Sequence, residues 1–192
     1  MTDQEKVDKI KLESSDKAFH AFGYSYIFTR RIKWYLRYIN ALKFFGIIVP
    51  LTVGALAIGY KFTNDILFVS IAIAIPVTIL QLILSTLSIV YKWDDELAYA
   101  FETNQDYNHL YDDYTKLYKF SPSNINELEK QFEVLNAKNK IRETQDLKHN
   151  ITEKELRRGM RYSLREHKKE CAGCKLVPTT MKAQKCGVCG NF

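Results

Sequence analysis

Two long apolar runs, residues 44–60 and 66–91, contain no charged residue and are separated only by residues 61–65. At about 1.5 Å of rise per residue, helices over these runs reach roughly 26 Å and 39 Å, and a bilayer has a hydrocarbon core of about 30 Å. The alternative is a buried hairpin in a soluble protein, but core helices rarely lack charge over such a length. The pattern therefore predicts a transmembrane hairpin, with spans at 44–60 and 66–91 and an outer loop at 61–65.

Basic residues cluster before the first run, whereas the short loop has one lysine balanced by one aspartate. The cluster consists of Arg30, Arg31, Lys33, Arg37 and Lys43. By the positive-inside rule, both termini are expected in the cytosol. The net charge of +6 suits a protein on an anionic membrane surface, and it suits a nucleic-acid binder equally well.

The rest of the chain divides into four segments around the hairpin. Residues 1–43 read as a cytosolic or interfacial helical segment with a break at Gly23. Residues 92–149 read as a cytosolic helical bundle or coiled coil, in which the second span continues to Phe120 and a turn at residues 121–124 leads into a further helix. Residues 150–170 form a basic amphipathic helix, and residues 171–192 a small zinc ribbon. The expected fold class is an all-α membrane protein with this terminal metal module.

Polar side chains within the second run recur at helical spacing and form one stripe about 80° wide. Apolar residues continue the same face toward the outer end, so a pore lined by this helix is polar inside and apolar outside. The alternative is that the polar side chains hydrogen-bond to neighbouring helices. The polar residues are Thr78, Gln81, Ser85, Ser88 and Lys92, and the apolar ones are Leu67, Ile71 and Ala74.

Each apolar run also contains one proline, Pro50 in the first and Pro76 in the second, at matching distances from the outer loop. Each proline removes a backbone hydrogen bond from its helix. Paired kinks near the midplane are compatible with a hinge or gate, and equally with tolerated kinks that have no function.

All four cysteines fall into two C-x-x-C motifs near the end of the sequence, Cys171/Cys174 and Cys186/Cys189, with eleven residues between the motifs. Four thiolates at this spacing can close a tetrahedral Zn²⁺ site, and the intervening residues are long enough for a small hairpin. Disulfides or a redox motif are the alternatives, but the expected cytosolic location is reducing. A closed four-cysteine site has no open coordination position, which favours a structural Zn²⁺ over a catalytic one.

The segment before the cysteines carries basic residues that fall within about 100° of one another on a helical wheel. Such a face is expected to meet lipid headgroups, nucleic acid or a nucleotide, unless it is simply solvated. The residues are Lys154, Arg157, Arg158, Arg161, Arg165 and Lys168.

The order of these features resembles the SLATT superfamily and, more closely, the small proteins of bacterial mobile elements that carry the same cysteine signature. The resemblance covers nearly the whole chain and is specific in the cysteine spacing. It implies a two-span effector of prokaryotic conflict systems that breaches the bacterial inner membrane as an oligomeric pore. It also implies that Cys171, Cys174, Cys186 and Cys189 hold the metal.

These features together predict a homo-oligomeric effector that permeabilises the inner membrane or forms a gated channel in antiphage or mobile-element conflict. Its trigger is expected to be a cytosolic nucleotide, protein or nucleic acid. The competing hypothesis is a membrane-anchored zinc-ribbon module that binds nucleic acid or a partner protein. An enzyme is not expected, because no nucleophile and base pair, phosphate-binding loop or open metal site is recognisable.

Overall fold

The computed structural model describes residues 2–59 and 64–192, with side chains described throughout except at 53, 56–59, 64–67, 70 and 71. The described chain is helical and forms no strand there, as the sequence predicts. Five α-helices occur, α1 (Asp3–Gly59), α2 (Asn64–Val90), α3 (Trp93–Lys119), α4 (Ile125–Asp146) and α5 (Glu153–Glu166). A short 3-10 helix, Leu147–His149, follows α4. The predicted outer loop at 61–65 lies mostly outside the described residues.

The chain divides into two compact units. The bundle unit contains residues 1–30 and 100–192, and the hairpin unit contains residues 31–99. α1 contributes its residues up to Arg30 to the bundle unit and the rest to the hairpin unit. The helix also runs through Gly23 without interruption. The predicted break at Gly23 is therefore wrong.

The core of the bundle unit lies between α1, α3 and α4 and combines apolar and polar contacts. Tyr107 on α3 is fully buried, stacks on Tyr24 with ring centroids 4.8 Å apart, and donates a 2.6 Å hydrogen bond to Oδ2 of Asp146 on α4. Arg142 on α4 is also buried and pairs with that aspartate. Tyr107 and Arg142 thus both pair with Asp146, so α3 and α4 can bury these three polar groups without a large desolvation cost. The buried hydroxyl of Thr103 on α3, in contrast, has no hydrogen-bond partner in the described part of the chain.

α5 starts at a capping box and packs on the first half of α1. The hydroxyl of Thr152 accepts from the backbone N–H of Glu155, whose carboxylate accepts from the backbone N–H of Thr152. Farther along α5, Tyr162 stacks on Tyr26 and Phe22 of α1, with centroids 3.9 and 5.2 Å away. These aromatic contacts fix α5 in place ahead of the cysteines.

In the hairpin unit, α1 and α2 meet along a regular seam. Residues that are half-buried or buried recur at steps of three and four on both helices, which is the spacing of coiled-coil packing. A Cβ atom added to Gly46 would lie 3.0 Å from Nε2 of Gln81, so the two helices are in contact at that point. The seam residues are Ile39, Leu42, Gly46 and Val49 on α1, and Ala74, Val77, Gln81, Leu84 and Ser88 on α2.

The chain turns between α2 and α3, contrary to the prediction that the second span continues as one helix toward Phe120. α2 ends at Val90, and Lys92 adopts a left-handed backbone conformation with φ of 49°. Two hydrogen bonds close the turn, from the N–H of Tyr91 to the carbonyl of Leu87 and from the N–H of Lys92 to that of Ile89. The next helix then begins at Trp93.

One described helix is long and apolar enough to cross a membrane by length and composition. Its qualifying stretch, Ala72–Val90, has a mean hydropathy of 2.2, and none of it is buried within the protein. The apolar second half of α1 is exposed too, although it does not meet the same criterion. The second span of the predicted hairpin thus has a counterpart in the structure, and the first stays a prediction.

Candidate metal centre

Two similar turns present the cysteines, and we call them the first knuckle (residues 171–175) and the second knuckle (residues 186–190). In the first, the N–H of Lys175 donates to the carbonyl of Cys171 over 2.8 Å. In the second, the N–H of Gly190 donates to the carbonyl of Cys186 over 3.0 Å. This repeated bond curls each C-x-x-C motif so that its two sulfur atoms face the same side.

Glycine is required at the end of the second knuckle because the backbone approaches itself there. A Cβ atom at Gly190 would overlap the carbonyl oxygen of Gln184. That carbonyl also accepts hydrogen bonds from the N–H groups of Cys186 and Asn191, over 2.9 and 2.7 Å. The turn therefore leaves no room for a side chain at position 190.

The four sulfur atoms come together in one cluster, as predicted, and all lie within 4.8 Å of one another. Two of the sulfur–sulfur distances join different knuckles, 3.9 Å between Cys171 and Cys186 and 3.8 Å between Cys174 and Cys189. A disulfide needs about 2.05 Å, so these are four free thiols. A tetrahedron with Zn–S bonds of about 2.3 Å has edges of about 3.8 Å, which the two distances match.

The thiols of the second knuckle differ in their electrostatic surroundings. Hydrogen bonds from the backbone N–H groups of Cys189 and Val188 lower the pKa of Cys186 to about 6. Burial raises the pKa of Cys189 above its ordinary range. The N–H groups around Cys186 thus favour the thiolate form that a metal ligand requires.

Side chains from α1 and α5 cover the cysteine cluster. Phe19 of α1 and Leu164 of α5 are buried against it, and Met160 packs beside them. The cluster is therefore part of the core of the bundle unit rather than an isolated appendage. The residues between the knuckles form no strand, so the hairpin expected of a zinc ribbon is wrong, and the knuckles are held by these helices instead.

Arg161 of α5 occupies a position that contradicts the prediction that it faces an external anion. Its side chain is only 1% exposed. Nε donates to the carbonyl of Thr180 over 2.6 Å, and Nη1 donates to Oε1 of Gln184 and the carbonyl of Cys189 over 3.2 and 3.3 Å. Arg161 thus holds the cysteine segment, residues 171–192, on α5.

Two further arginines of the predicted anionic-ligand face also contact the cysteine segment. Arg157 pairs with Glu153 and donates to the carbonyl of Asn191 over 3.3 Å. The guanidinium carbon of Arg158 lies 4.7 Å from the ring centroid of Phe192. These arginines therefore have partners within the protein, and the predicted face is smaller than the sequence suggests.

The remaining members of that face are separated from one another. Arg165 pairs with Glu166 and lies over the ring of Tyr162. Lys168 follows the end of α5 with a left-handed φ of 51°, so it is not on the helical face. Lys154 is exposed near the start of α5. The structure does not bring these six residues together as one surface.

The predicted pore stripe is divided by the seam between α1 and α2. Ala74, Gln81 and Ser88 lie on the half-buried seam, whereas Thr78 and Ser85 are exposed. Lys92 is past the end of α2, so its place in the stripe is wrong. The side chains of Leu67 and Ile71 lie outside the described residues. Pro50 and Pro76 are both inside helices that continue past them, and both are exposed, away from the seam.

Comparison with known proteins identifies a family. The model of a protein family described as "Mobilome CxxCx(11)CxxC protein" matches residues 11–192. No curated protein and no solved structure matches the chain. The match includes both knuckles and nearly all of the five helices.

Proposed function

The chain belongs to the mobilome CxxCx(11)CxxC protein family, and on that premise we propose that it is a homo-oligomeric effector of the bacterial inner membrane. In this proposal it is related to the SLATT two-span proteins and permeabilises the membrane during conflict that involves phages or mobile elements. Both termini are in the cytosol. The knuckles hold a structural Zn²⁺ that stabilises the bundle unit.

The observation that carries the proposal is the exposure of α2. The stretch Ala72–Val90 has no buried residue, although its mean hydropathy is 2.2. Phe68 is 74% exposed, Ile73 63% and Ile89 75%. Removing such a side chain from water is worth roughly 1.5–3 kcal/mol, so a helix like this is costly in water and stable in a bilayer.

The second half of α1 supports a hairpin of two spans. Phe44, Ile47 and Leu51 are all more than half exposed, while the seam holds the opposite face of α1 against α2. Both helices therefore present apolar side chains outward, as two adjacent membrane helices do. The exposed apolar face supports a first span in the second half of α1.

Aromatic residues at one end of the hairpin unit fit a cytosolic membrane interface. Trp34 of α1 contacts Trp93 at the start of α3 edge to face, with ring centroids 5.5 Å apart, and Tyr38 lies 6.2 Å from the same tryptophan. The ammonium group of Lys43 lies 3.8 Å from Oδ1 of Asp94. Tryptophan, tyrosine and charged groups at one level are typical of the headgroup region.

The proposed pore requires several copies, because two helices cannot enclose a conduit. Thr78 and Ser85 are two turns apart on one exposed face of α2. Among the described side chains of α2, no other pair of exposed hydroxyl groups has this spacing. We assign the pore-lining role to this pair. Gln81 instead connects α2 to α1 in the same copy.

Membrane depolarisation in bacteria that express the protein tests the proposal. The variant Thr78→Leu with Ser85→Leu removes the two exposed hydroxyls and is expected to lose most of the depolarisation seen with the unaltered protein. Thr86→Leu is the matched control, because Thr86 is exposed on another face of α2 and its hydroxyl bonds only to the carbonyl of Leu82. Immunoblots of the membrane fraction check that all variants insert equally.

Three outcomes contradict separate parts of the proposal. If a carbonate wash removes the protein from membranes, the hairpin does not span the bilayer. If native mass spectrometry of the detergent-solubilised protein shows a monomer, the oligomeric pore is wrong. If the double variant and the Thr86→Leu control depolarise cells as the unaltered protein does, Thr78 and Ser85 do not line the pore.

The nucleic-acid module has less support than the membrane effector. Its binding surface was expected to include Arg157, Arg158 and Arg161, and each of these contacts the cysteine segment. A salt-sensitive complex with nucleic acid, together with no depolarisation, would reverse this preference.

A further inference from the structure

Arg161 is a buried cation that pairs with no carboxylate among the residues the structure describes. Its donors meet the carbonyl oxygens of Thr180 and Cys189 and the side-chain amide oxygen of Gln184, all of which are neutral. None of the described carboxylates lies within 4.0 Å of its guanidinium nitrogens. A charge removed from water in this way is strongly destabilising unless an opposite charge compensates for it.

Arg142, another buried arginine of the bundle unit, has its charge compensated by carboxylates. Arg142 is 3% exposed and has three carboxylates within reach, those of Glu102, Asp106 and Asp146, at 3.6, 2.9 and 3.2 Å. Arg142 and Arg161 are buried to a similar extent, so the contrast lies in their partners. The charge of Arg161 requires compensation from a different kind of group.

The closest candidate is the cysteine cluster. Nη1 of Arg161 lies 3.9 Å from Sγ of Cys189, within range of an N–H···S hydrogen bond. Four thiolates around one divalent cation carry a net charge of −2, and Phe19 and Leu164 shield this cluster from water. A nearby cation therefore stabilises the negatively charged centre, and the centre in turn compensates for the charge of the buried arginine.

We propose that Arg161 is the counter-ion of the metal–tetrathiolate centre. This inference rests on the proposed Zn²⁺ site, and it assigns Arg161 as a positioning residue that contacts a ligand rather than the metal. Metal binding and the docking of α5 on the cysteine segment then form one coupled event. The site selects a divalent cation that prefers thiolate ligands and is bound by all four cysteines. With fewer thiolates, the negative charge of the centre would be too small to compensate for the charge of Arg161.

Competition between the full-length, detergent-solubilised protein and a chromophoric zinc chelator tests this proposal. Arg161→Gln removes the charge and is expected to weaken zinc binding by about 10- to 100-fold, the range typical for partners of metal ligands. Arg161→Lys keeps the charge and is expected to restore most of the affinity. Arg157→Gln is the control, because that arginine contacts the same segment at Asn191 but not a sulfur atom.

The two substitutions at Arg161 also separate charge from structure. If Arg161→Lys and Arg161→Gln weaken zinc binding equally, the hydrogen bonds of the guanidinium group matter rather than its charge. That result would overturn the counter-ion proposal. If Arg161→Gln binds zinc as tightly as Arg157→Gln does, the proposal is equally wrong. The four-thiolate absorption spectrum of the Co²⁺-substituted protein verifies that the ligand set is intact in each variant.

A change in the charge of the centre gives an independent test. Cys174→His replaces a thiolate that Arg161 does not contact and lowers the charge of the zinc centre from −2 to −1. In the Cys174→His background, the loss of zinc affinity caused by Arg161→Gln is expected to be smaller. An unchanged loss of zinc affinity would contradict electrostatic coupling between Arg161 and the centre. If the unaltered protein binds no zinc, the proposed metal site has failed instead.

Discussion

Gly23 on α1 and Gly159 on α5 lie at a crossing where the two backbones touch. A Cβ atom at Gly159 would be 2.8 Å from the carbonyl oxygen of Gly23 and 2.9 Å from Cδ1 of Ile27. One at Gly23 would be 2.9 Å from Oγ of Ser163. The two glycines therefore permit the close approach that brings α5 and the knuckles onto α1.

Gly159→Ala is expected to destabilise the bundle unit by about 1–3 kcal/mol, because its methyl group meets the backbone carbonyl of Gly23 as well as the side chain of Ile27. The measurement is the midpoint of urea unfolding followed by circular dichroism. Gly187→Ala is the control, since a Cβ there enters open space. Equal midpoints for the two variants would show that the crossing can separate without cost.

Tyr107→Phe is expected to cost about 1–3 kcal/mol of unfolding free energy, because the buried carboxylate of Asp146 loses its 2.6 Å hydrogen bond. Tyr118→Phe serves as the comparison, because the hydroxyl of Tyr118 forms no hydrogen bond with the described part of the chain, and a change below about 0.5 kcal/mol is expected. Similar losses in both variants would contradict a structural role for the Tyr107–Asp146 bond.

Alkaline pH is expected to destabilise the bundle unit through the same tyrosine. Burial, and then the hydrogen bond to Asp146, raise the pKa of Tyr107 above its ordinary value of about 10. The folded protein thus keeps a proton that the unfolded chain loses, so this contribution is complete below about pH 10 and decreases as the pH rises further.

Unfolding free energies measured between about pH 9 and 11 check this expectation. The decline should be steeper in the unaltered protein than in Tyr107→Phe, by at most about 1.4 kcal/mol per pH unit for one proton. Parallel declines would mean that Tyr107 ionises equally readily in both states.

Removal of the metal is expected to release the cysteine segment while α3 and α4 stay folded. The segment has no strand and few apolar contacts beyond the cysteine cluster, whereas zinc binding to such sites is worth about 10–16 kcal/mol. Limited trypsin digestion after chelation should therefore cut first at the exposed Lys175, Lys182 and Lys185. Equal rates of cleavage in the zinc-bound protein and in the chelated protein would contradict this prediction, provided that the zinc content of both samples has been measured.

The elements that the sequence predicts well are those set by local spacing. Each pair of cysteines comes together because a short C-x-x-C turn brings its two sulfur atoms to one side. The long apolar runs became helices for a similar reason, since their composition leaves few alternatives. The end of α2 at Val90 was missed because no proline or glycine marks it, and Lys92 accepts a left-handed conformation that lysine rarely adopts.

The contacts between distant segments were not predictable in this way. Arg161 has the same spacing as its basic neighbours, and only the position of Thr180 and Cys189 makes it an internal residue. Gly23 predicts a helix break when only its sequence neighbours are considered, because Gly159, which it contacts, is far away in sequence. The two glycines do indicate a helix crossing, however, since glycine inside a helix often marks a close approach of another backbone.

The seam in the hairpin unit restricts how α1 and α2 can move past each other. Interdigitated side chains allow no gradual sliding, and the next register is one helical turn, about 5.4 Å, away. A shift of that size would move the amide of Gln81 from Gly46 to the side chain of Leu42 or Val49, where it has less room. The contact of one polar residue with one glycine thus favours a single register of the two helices.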